Sequence, residues 1–388
     1  MTSFERRAAL SLSGIFALRM LGLFMITPVF TIYAKTIPGG TDDRLVGLAL
    51  GAYGITQALF YILYGWFSDR AGRKPVIVLG LIVFAIGSFV AAGAHDITWI
   101  IIGRAIQGMG AVSSAVLAFI ADLTAEEHRT KAMAMVGGCI GVSFAVAIVG
   151  SPIVYHWVGM SGLFVLIGVL SILGIGVVLW LVPAAPRAAH VPAPFAEVLR
   201  NAELLRLNFG VLVLHATQMA LFLVVPRLLV MDGLPVRSHW IVYLPVMCLS
   251  FVAMVPAIIA AEKRGKMKAV LLSAIGLILI GQLLLATQAH TIMLVTAILF
   301  VYFIGFNVLE ASQPSLVSKL APGVRKGAAM GVYNTTQSIG LALGPIAGGW
   351  LLRQQGNQAV FLACSALVLC WLIIAAGMKA PPSHSART

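Results

Sequence analysis

Arg19, Arg104 and Glu310 stand inside stretches of sequence that are otherwise almost free of charge. An ionised side chain at the middle of a bilayer costs about 2.5 to 3.5 kcal/mol even on a lenient scale, so each implies a task or a partner. Two guanidiniums with no acid on their own helix faces make a receptor for an anionic or neutral amphipathic solute and a poor trap for a cation. Glu310, or His215, is the candidate for carrying a proton between the two sides of a membrane. His215 also lies four residues before Met219, so on a helix both point the same way, and imidazole with thioether suits a soft metal such as copper. A methionine packed in a core and a histidine bonded to its neighbour would produce the same pattern without any metal.

Uncharged polar residues recur around these at helical spacing. Tyr53, Gln57, Tyr61 and Tyr64 share a face; Gln107 lies one turn from Arg104, Gln218 beside His215, and Asn307 and Gln313 beside Glu310; Tyr333, Asn334 and Gln337 precede a Gly-Pro. Any one of them alone reads better as an interhelical hydrogen bond. Together they are expected to line a water-accessible, aromatic and mildly cationic pocket.

The elements that must position these residues are membrane helices. Of 388 residues 60% are hydrophobic and only 10% are charged, against roughly 25% charged in a soluble domain. A bilayer helix needs about 20 mostly apolar residues, and twelve segments qualify: 9–34, 44–66, 75–94, 97–120, 132–155, 161–182, 207–231, 239–261, 269–288, 291–315, 327–352 and 359–378. The fold class expected is an all-α membrane protein. Its net charge of +13 does not imply nucleic acid, because the basic residues are spread over short loops. With the N-terminus in the cytoplasm, nineteen Lys and Arg fall on the cytoplasmic side, Arg6, Arg7 and Arg129 among them. Lys35, Arg44, Arg227, Arg237 and Arg353 fall outside. The positive-inside rule selects that orientation, with both termini cytoplasmic. No removable signal peptide is apparent before the first span. Cys139, Cys248, Cys364 and Cys370 all lie in spans without a CxxC, so neither disulfides nor a zinc site is expected.

The longest stretch outside the spans, 183–206, is rich in Pro and Ala and then amphipathic. It divides the chain into a six-helix bundle over 1–182, a cytoplasmic linker, and a second bundle with a short tail over 207–388. At a shift of 193 residues the halves agree: Asp69 with Glu262, Arg70 with Lys263, Gly72 with Gly265, Arg73 with Lys266, Gly138 with Gly331 and Pro152 with Pro345. A duplication producing two pseudo-symmetric bundles accounts for these matches, and transporters are built in this way.

GWFSDRAGRKPVI, residues 65–77, gathers charge between the second and third spans. Gly72 permits a turn that a side chain would oppose, and Pro75 starts a helix where its missing N–H costs nothing. Arg70, Arg73 and Lys74 fit a topology anchor. Asp69 does not, since an acid at this edge works against the charge bias. Its expected partner is the N-terminus of the eleventh span near Gly327, where free N–H groups attract an anion, while Arg73 holds Asp122 at the end of the fourth.

The same stretch resembles the signature loop of the major facilitator superfamily. IIGRAIQGMGA at 101–111 resembles the arginine motif of its proton-coupled members, and LGLFMITPV at 21–29 resembles the first-helix pattern of its drug–proton antiporters, with Thr31 in place of a second proline. The glycine motif usual in the fifth span of those antiporters is fragmentary there. It is complete in the eleventh, as Gly331, Gly340, Gly344, Pro345, Gly348 and Gly349. ERRA, LRMLG, SDRAGRKP and DLTAEEHRTKAMA are similar to YajR-type bacterial exporters, which often carry a soluble C-terminal domain; the expectation here is that such a domain is absent or removed. The resemblance implies the major facilitator fold and a loop that latches one state of the carrier.

These readings converge on a monomeric secondary transporter that needs no cofactor. It is expected to export small neutral or anionic amphipathic compounds by alternating access, coupled to protons, in the manner of multidrug antiporters. The alternatives are a copper importer using His215 and Met219, and a membrane sensor or assembly factor built on a transporter scaffold. The second is opposed by the intact Asp69, Gly72 and Arg73. An enzyme is not expected, for no nucleophile with its base and no phosphate-binding loop appears.

Overall fold

The computed structural model describes residues 1–110, 112–183, 195–263, 265–287, 291–321 and 326–379. Residues 184–194 of the linker, with Arg264, Arg325 and Arg387, lie outside the described residues, as do the side chains of Arg129, Glu262, Lys263 and Lys326. The described residues form helices joined by short turns, with no strand among them.

Helix α1 (Ser3–Phe24) opens on a capping box: the Thr2 hydroxyl accepts the Glu5 N–H at 3.2 Å, and the Thr2 N–H donates to the Glu5 carboxylate at 2.7 Å. That carboxylate also accepts the Ala125 N–H at 2.8 Å and lies 3.0 Å from His128 Nδ1. It thereby ties the start of α1 to the chain at Ala125 and His128. After Met25 and Ile26 the same span resumes as α2 (Thr27–Tyr33). The break follows from Pro28, which has no N–H for the carbonyl four residues back.

Helices α3 (Asp43–Ala71) and α4 (Arg73–Ala92) meet at Gly72, whose φ of 95° lies in the region that favours glycine. Next come α5 (Ile97–Met109) and α6 (Ser113–Leu123), one span interrupted at Gly110, where a Cβ would fall 2.5 Å from the Gly80 carbonyl. Then α7 (Glu126–Gly176) runs on into a π turn, Val177–Leu181. A short α8 (Phe195–Arg200) precedes α9 (Ala202–Met231), α10 (Trp240–Lys263), α11 (Met267–Ala286), α12 (Ile292–Leu320) and α13 (Lys326–Ala376). Between α10 and α11 the turn again uses a glycine of positive φ, Gly265 at 64°. It stands 193 residues after Gly72, so the two turns of the sequence repeat share a backbone device.

Among the described residues ten helical stretches are long and apolar enough to cross a membrane. Two of them, Lys131–Leu181 and Gly327–Ala376, run 51 and 50 residues, about 75 Å at 1.5 Å per residue, against a hydrocarbon core of about 30 Å. Each turns at a glycine with positive φ, Gly159 at 66° or Gly356 at 79°. Divided there, ten stretches make the twelve crossings expected. Their outward faces are apolar and bare, with Trp157 81% exposed and Ile373 66%, which suits acyl chains rather than water.

The chain forms two compact units, Met1–Pro192 and Ala193–Thr388. In the first, α1 packs on α7, α3 and α4 flank α5, and α4 packs on α7. In the second, α9 lies along α13, while α10 and α11 pack on α12 and α11 also on α13.

Candidate functional site

In the first unit Tyr53 of α3 is the hub for both arginines. Arg19 of α1 donates from Nη2 to the Tyr53 hydroxyl at 2.8 Å and from Nη1 to the Ser113 hydroxyl on α6. Arg104 of α5 lies over the face of the Tyr53 ring, 4.8 Å from its centroid, and donates from Nη1 to Gln107 Oε1 at 2.9 Å. Gln107 in turn donates to the Ser88 hydroxyl on α4 at 2.8 Å, and Ser88 to the Phe84 carbonyl at 2.8 Å. Both guanidiniums are 1% exposed, and neither has a carboxylate within ion-pair distance among the described residues.

Glycines make this approach possible. A Cβ at Gly87 of α4 would fall 2.4 Å from the Gln107 nitrogen, and one at Gly108 of α5 would fall 2.2 Å from the Tyr53 carbonyl. The helices therefore touch backbone to backbone, and Thr56 of α3 seals the contact by donating to the Ala105 carbonyl at 2.8 Å. Of the polar stripe, Gln57 and Tyr61 are buried on α3 beside Tyr53. Ser88, Ser113 and Thr56 were not among the residues expected, although they fix the arginines and join the helices.

The second unit brings three expected residues together. His215 of α9 has Nδ1 3.0 Å from the Val211 carbonyl and Nε2 2.7 Å from the Gln337 amide nitrogen of α13. With Nδ1–H donating, Nε2 is the acceptor for Gln337. Glu310 Oε2 of α12 stands 3.4 Å from the same Nε2. Both ring nitrogens are thus engaged, and Met219 is packed in the core one turn on. Among the described residues no group of three His, Cys, Asp or Glu is placed to hold a metal.

Asn307 donates instead to the Ser250 hydroxyl on α10 at 2.9 Å. Gln218 and Gln313 are wholly buried with both amide atoms unpartnered among the described residues. Gln313 lies over Gly210 of α9, where a Cβ would fall 3.0 Å from its Oε1. Tyr333 is buried on α13, with Asn334 half-buried beside it.

At the loop after α3, Arg73 gathers three oxygens. Its Nε donates to Asp122 Oδ2 at 2.8 Å, and its Nη1 to the Ser68 hydroxyl at 2.7 Å and to Asp69. The carboxylate for which the sequence suggested only a distant partner has one four residues on. Arg70 turns away and stacks its guanidinium 3.9 Å over the Trp66 ring. Lys74 is half-buried in the first turn of α4, and Gly327 lies in the first turn of α13.

A profile of the Major Facilitator Superfamily matches residues 12–342 and 240–388. The chain belongs to that superfamily. It is 44% identical to the inner membrane transport protein YajR of Escherichia coli strain K12, over 98% of this chain and 85% of that protein. It is 28% identical to the multidrug resistance protein MdtH of Yersinia enterocolitica, over 86% of this chain and 83% of that one. Among solved structures, a bacterial homologue of the human lysosomal transporter Spinster superposes with a TM-score of 0.75 at 16% identity, over 97% of this chain and 96% of that one. This major facilitator is therefore a multi-pass membrane transporter of small molecules and not an enzyme.

Proposed function

We propose that the chain is a proton-coupled exporter of small neutral or anionic amphipathic compounds in a bacterial inner membrane, working as a monomer by alternating access. One observation carries the charge preference: Arg19 and Arg104 are buried against Tyr53 with no carboxylate to balance them among the described residues. An unbalanced buried cation is costly, so an anionic or electron-rich solute gains by binding there and a cation does not. The inner-membrane setting draws on the name of YajR and export on that of MdtH.

Proton coupling rests on His215, Gln337 and Glu310. While His215 is neutral its Nε2 accepts from Gln337; once protonated, that nitrogen can only donate, and the carboxylate of Glu310 becomes its partner. The proton thus selects between two hydrogen-bond arrangements joining α9, α12 and α13. Asp69, Arg73 and Asp122, with Arg70, Gly72 and Lys74, form the proposed latch.

Purified protein in proteoliposomes, given an imposed pH gradient, tests the whole reading against matched anionic, neutral and cationic solutes. Anionic and neutral compounds should move against their gradients, and a protonophore should abolish this. Preference for the cationic member, or transport indifferent to the protonophore, would overturn it.

A further inference from the structure

The arginine pair has more detail than charge alone requires. Arg104 uses Nη1 for Gln107, and its Nε and Nη2 have no partner among the described residues although both are shut off from bulk water. By the covalent geometry of guanidinium these two nitrogens lie on one edge, with N–H bonds pointing the same way, and that edge matches the two oxygens of a carboxylate. The edge is held in place. Tyr53 supports the guanidinium face at 4.8 Å, and Nη1 is fixed through Gln107, then Ser88, then the Phe84 carbonyl. Arg19 differs: Nη1 and Nη2 are committed to Ser113 and Tyr53, and only Nε lacks a partner among the described residues. It supplies charge without a free fork.

We propose that Arg104 is the docking point for a substrate carboxylate, received side-on across Nε and Nη2, and that the transported class is organic carboxylates with an apolar or aromatic body. This rests on the reading of the site as one that accepts anions. A serviceable structural arginine would have its side-on edge paired, since buried donors left unmade are costly; here the side-on edge of Arg104 has no partner at either nitrogen among the described residues. The Tyr53 ring, with Phe84 edge-on at 6.4 Å between centroids, gives the body of such a ligand aromatic surface beside its head. As the edge is sealed here, docking requires neighbouring side chains to give way.

The probes are 2-naphthoate, 2-naphthalenesulfonate and 2-naphthamide, applied to the purified full chain, with affinity read from ligand-dependent melting. Wild type should bind naphthoate best and the amide least. Arg104→Lys keeps the charge and removes the fork, so naphthoate should weaken about tenfold while the sulfonate changes less. Gln107→Leu frees the other end of the guanidinium and should reduce the preference for naphthoate over the sulfonate in the same sense; it decides the matter should Arg104→Lys fail to fold. Naphthoate binding that survives unaltered in whichever folded variant is measured overturns the carboxylate fork while leaving an anion site in place. Wild-type protein that binds neither anion overturns the anion reading itself.

Discussion

At the scale of single residues, Arg73 shows how much depends on one guanidinium. It serves the buried Ser68 and the carboxylates of Asp69 and Asp122, whose side chains keep 20% and 19% exposure. Lysine has the charge but not the geometry to satisfy oxygens from three directions. Arg73→Lys should therefore lower unfolding stability by about 1 to 3 kcal/mol, visible as a reduced melting temperature in detergent; an unchanged melting temperature would return this loop to a bare topology anchor. Asp69→Asn nearly preserves shape and should keep the fold, yet depress transport and raise cytoplasmic thiol labelling. Unaltered labelling and transport would remove the latch. Much of this was legible, because a charge in an apolar sequence is conspicuous for the same reason that it is costly. The serines were not. Ser88 bonds the carbonyl four residues back, as serines in membrane helices commonly do, so its presence in a span carries no sign that it also holds Gln107.

At the scale of elements, the complete glycine motif of α13 divides by function. A Cβ at Gly344 would fall 2.1 Å from the Ala216 carbonyl, and one at Gly340 would fall 2.5 Å from that of Leu212, so these two seat α13 directly on the backbone of α9. At Gly331 nothing lies within 4 Å. Gly344→Ala should destabilise by about 1 to 3 kcal/mol through forced separation of the helices. Gly331→Ala should be neutral or stabilise by up to about 1 kcal/mol, since alanine is the better helix former. Thermal melting of the two variants side by side checks the contrast, and equal effects would refute it. The sequence shows the glycines as one motif because spacing records periodicity and not which turn meets a neighbour. Helix existence was legible throughout from apolar length. The interruptions at Met25–Ile26 and Gly110, which fall inside two of the expected spans, were not read, because a glycine or proline within an apolar run is tolerated in membrane helices and need not break one.

At the scale of the whole molecule, the repeat and the buried charges divide the work. In the first unit two buried arginines have no ion-paired carboxylate among the described residues, and the second unit holds the histidine–glutamate–glutamine cluster. Glu310→Gln should therefore abolish accumulation driven by a pH gradient while sparing substrate exchange across the same membrane; loss of both would place Glu310 in substrate binding. Labels on the cytoplasmic and opposite ends of the two units should move in opposite senses when substrate is added, and fixed distances under every condition would rule out rocking. The fastening of α1 also bears on how the chain is made. Thr2 and Glu5 close their capping box as soon as the first turn exists, but a further partner of Glu5, the Ala125 N–H, lies 120 residues on. At the usual 5 to 20 residues per second of synthesis, that partner emerges on the order of ten seconds later. During that interval the N-terminal end of the first helix is held by its own cap alone, and the arrival of residue 125 is what fastens that end to the bundle.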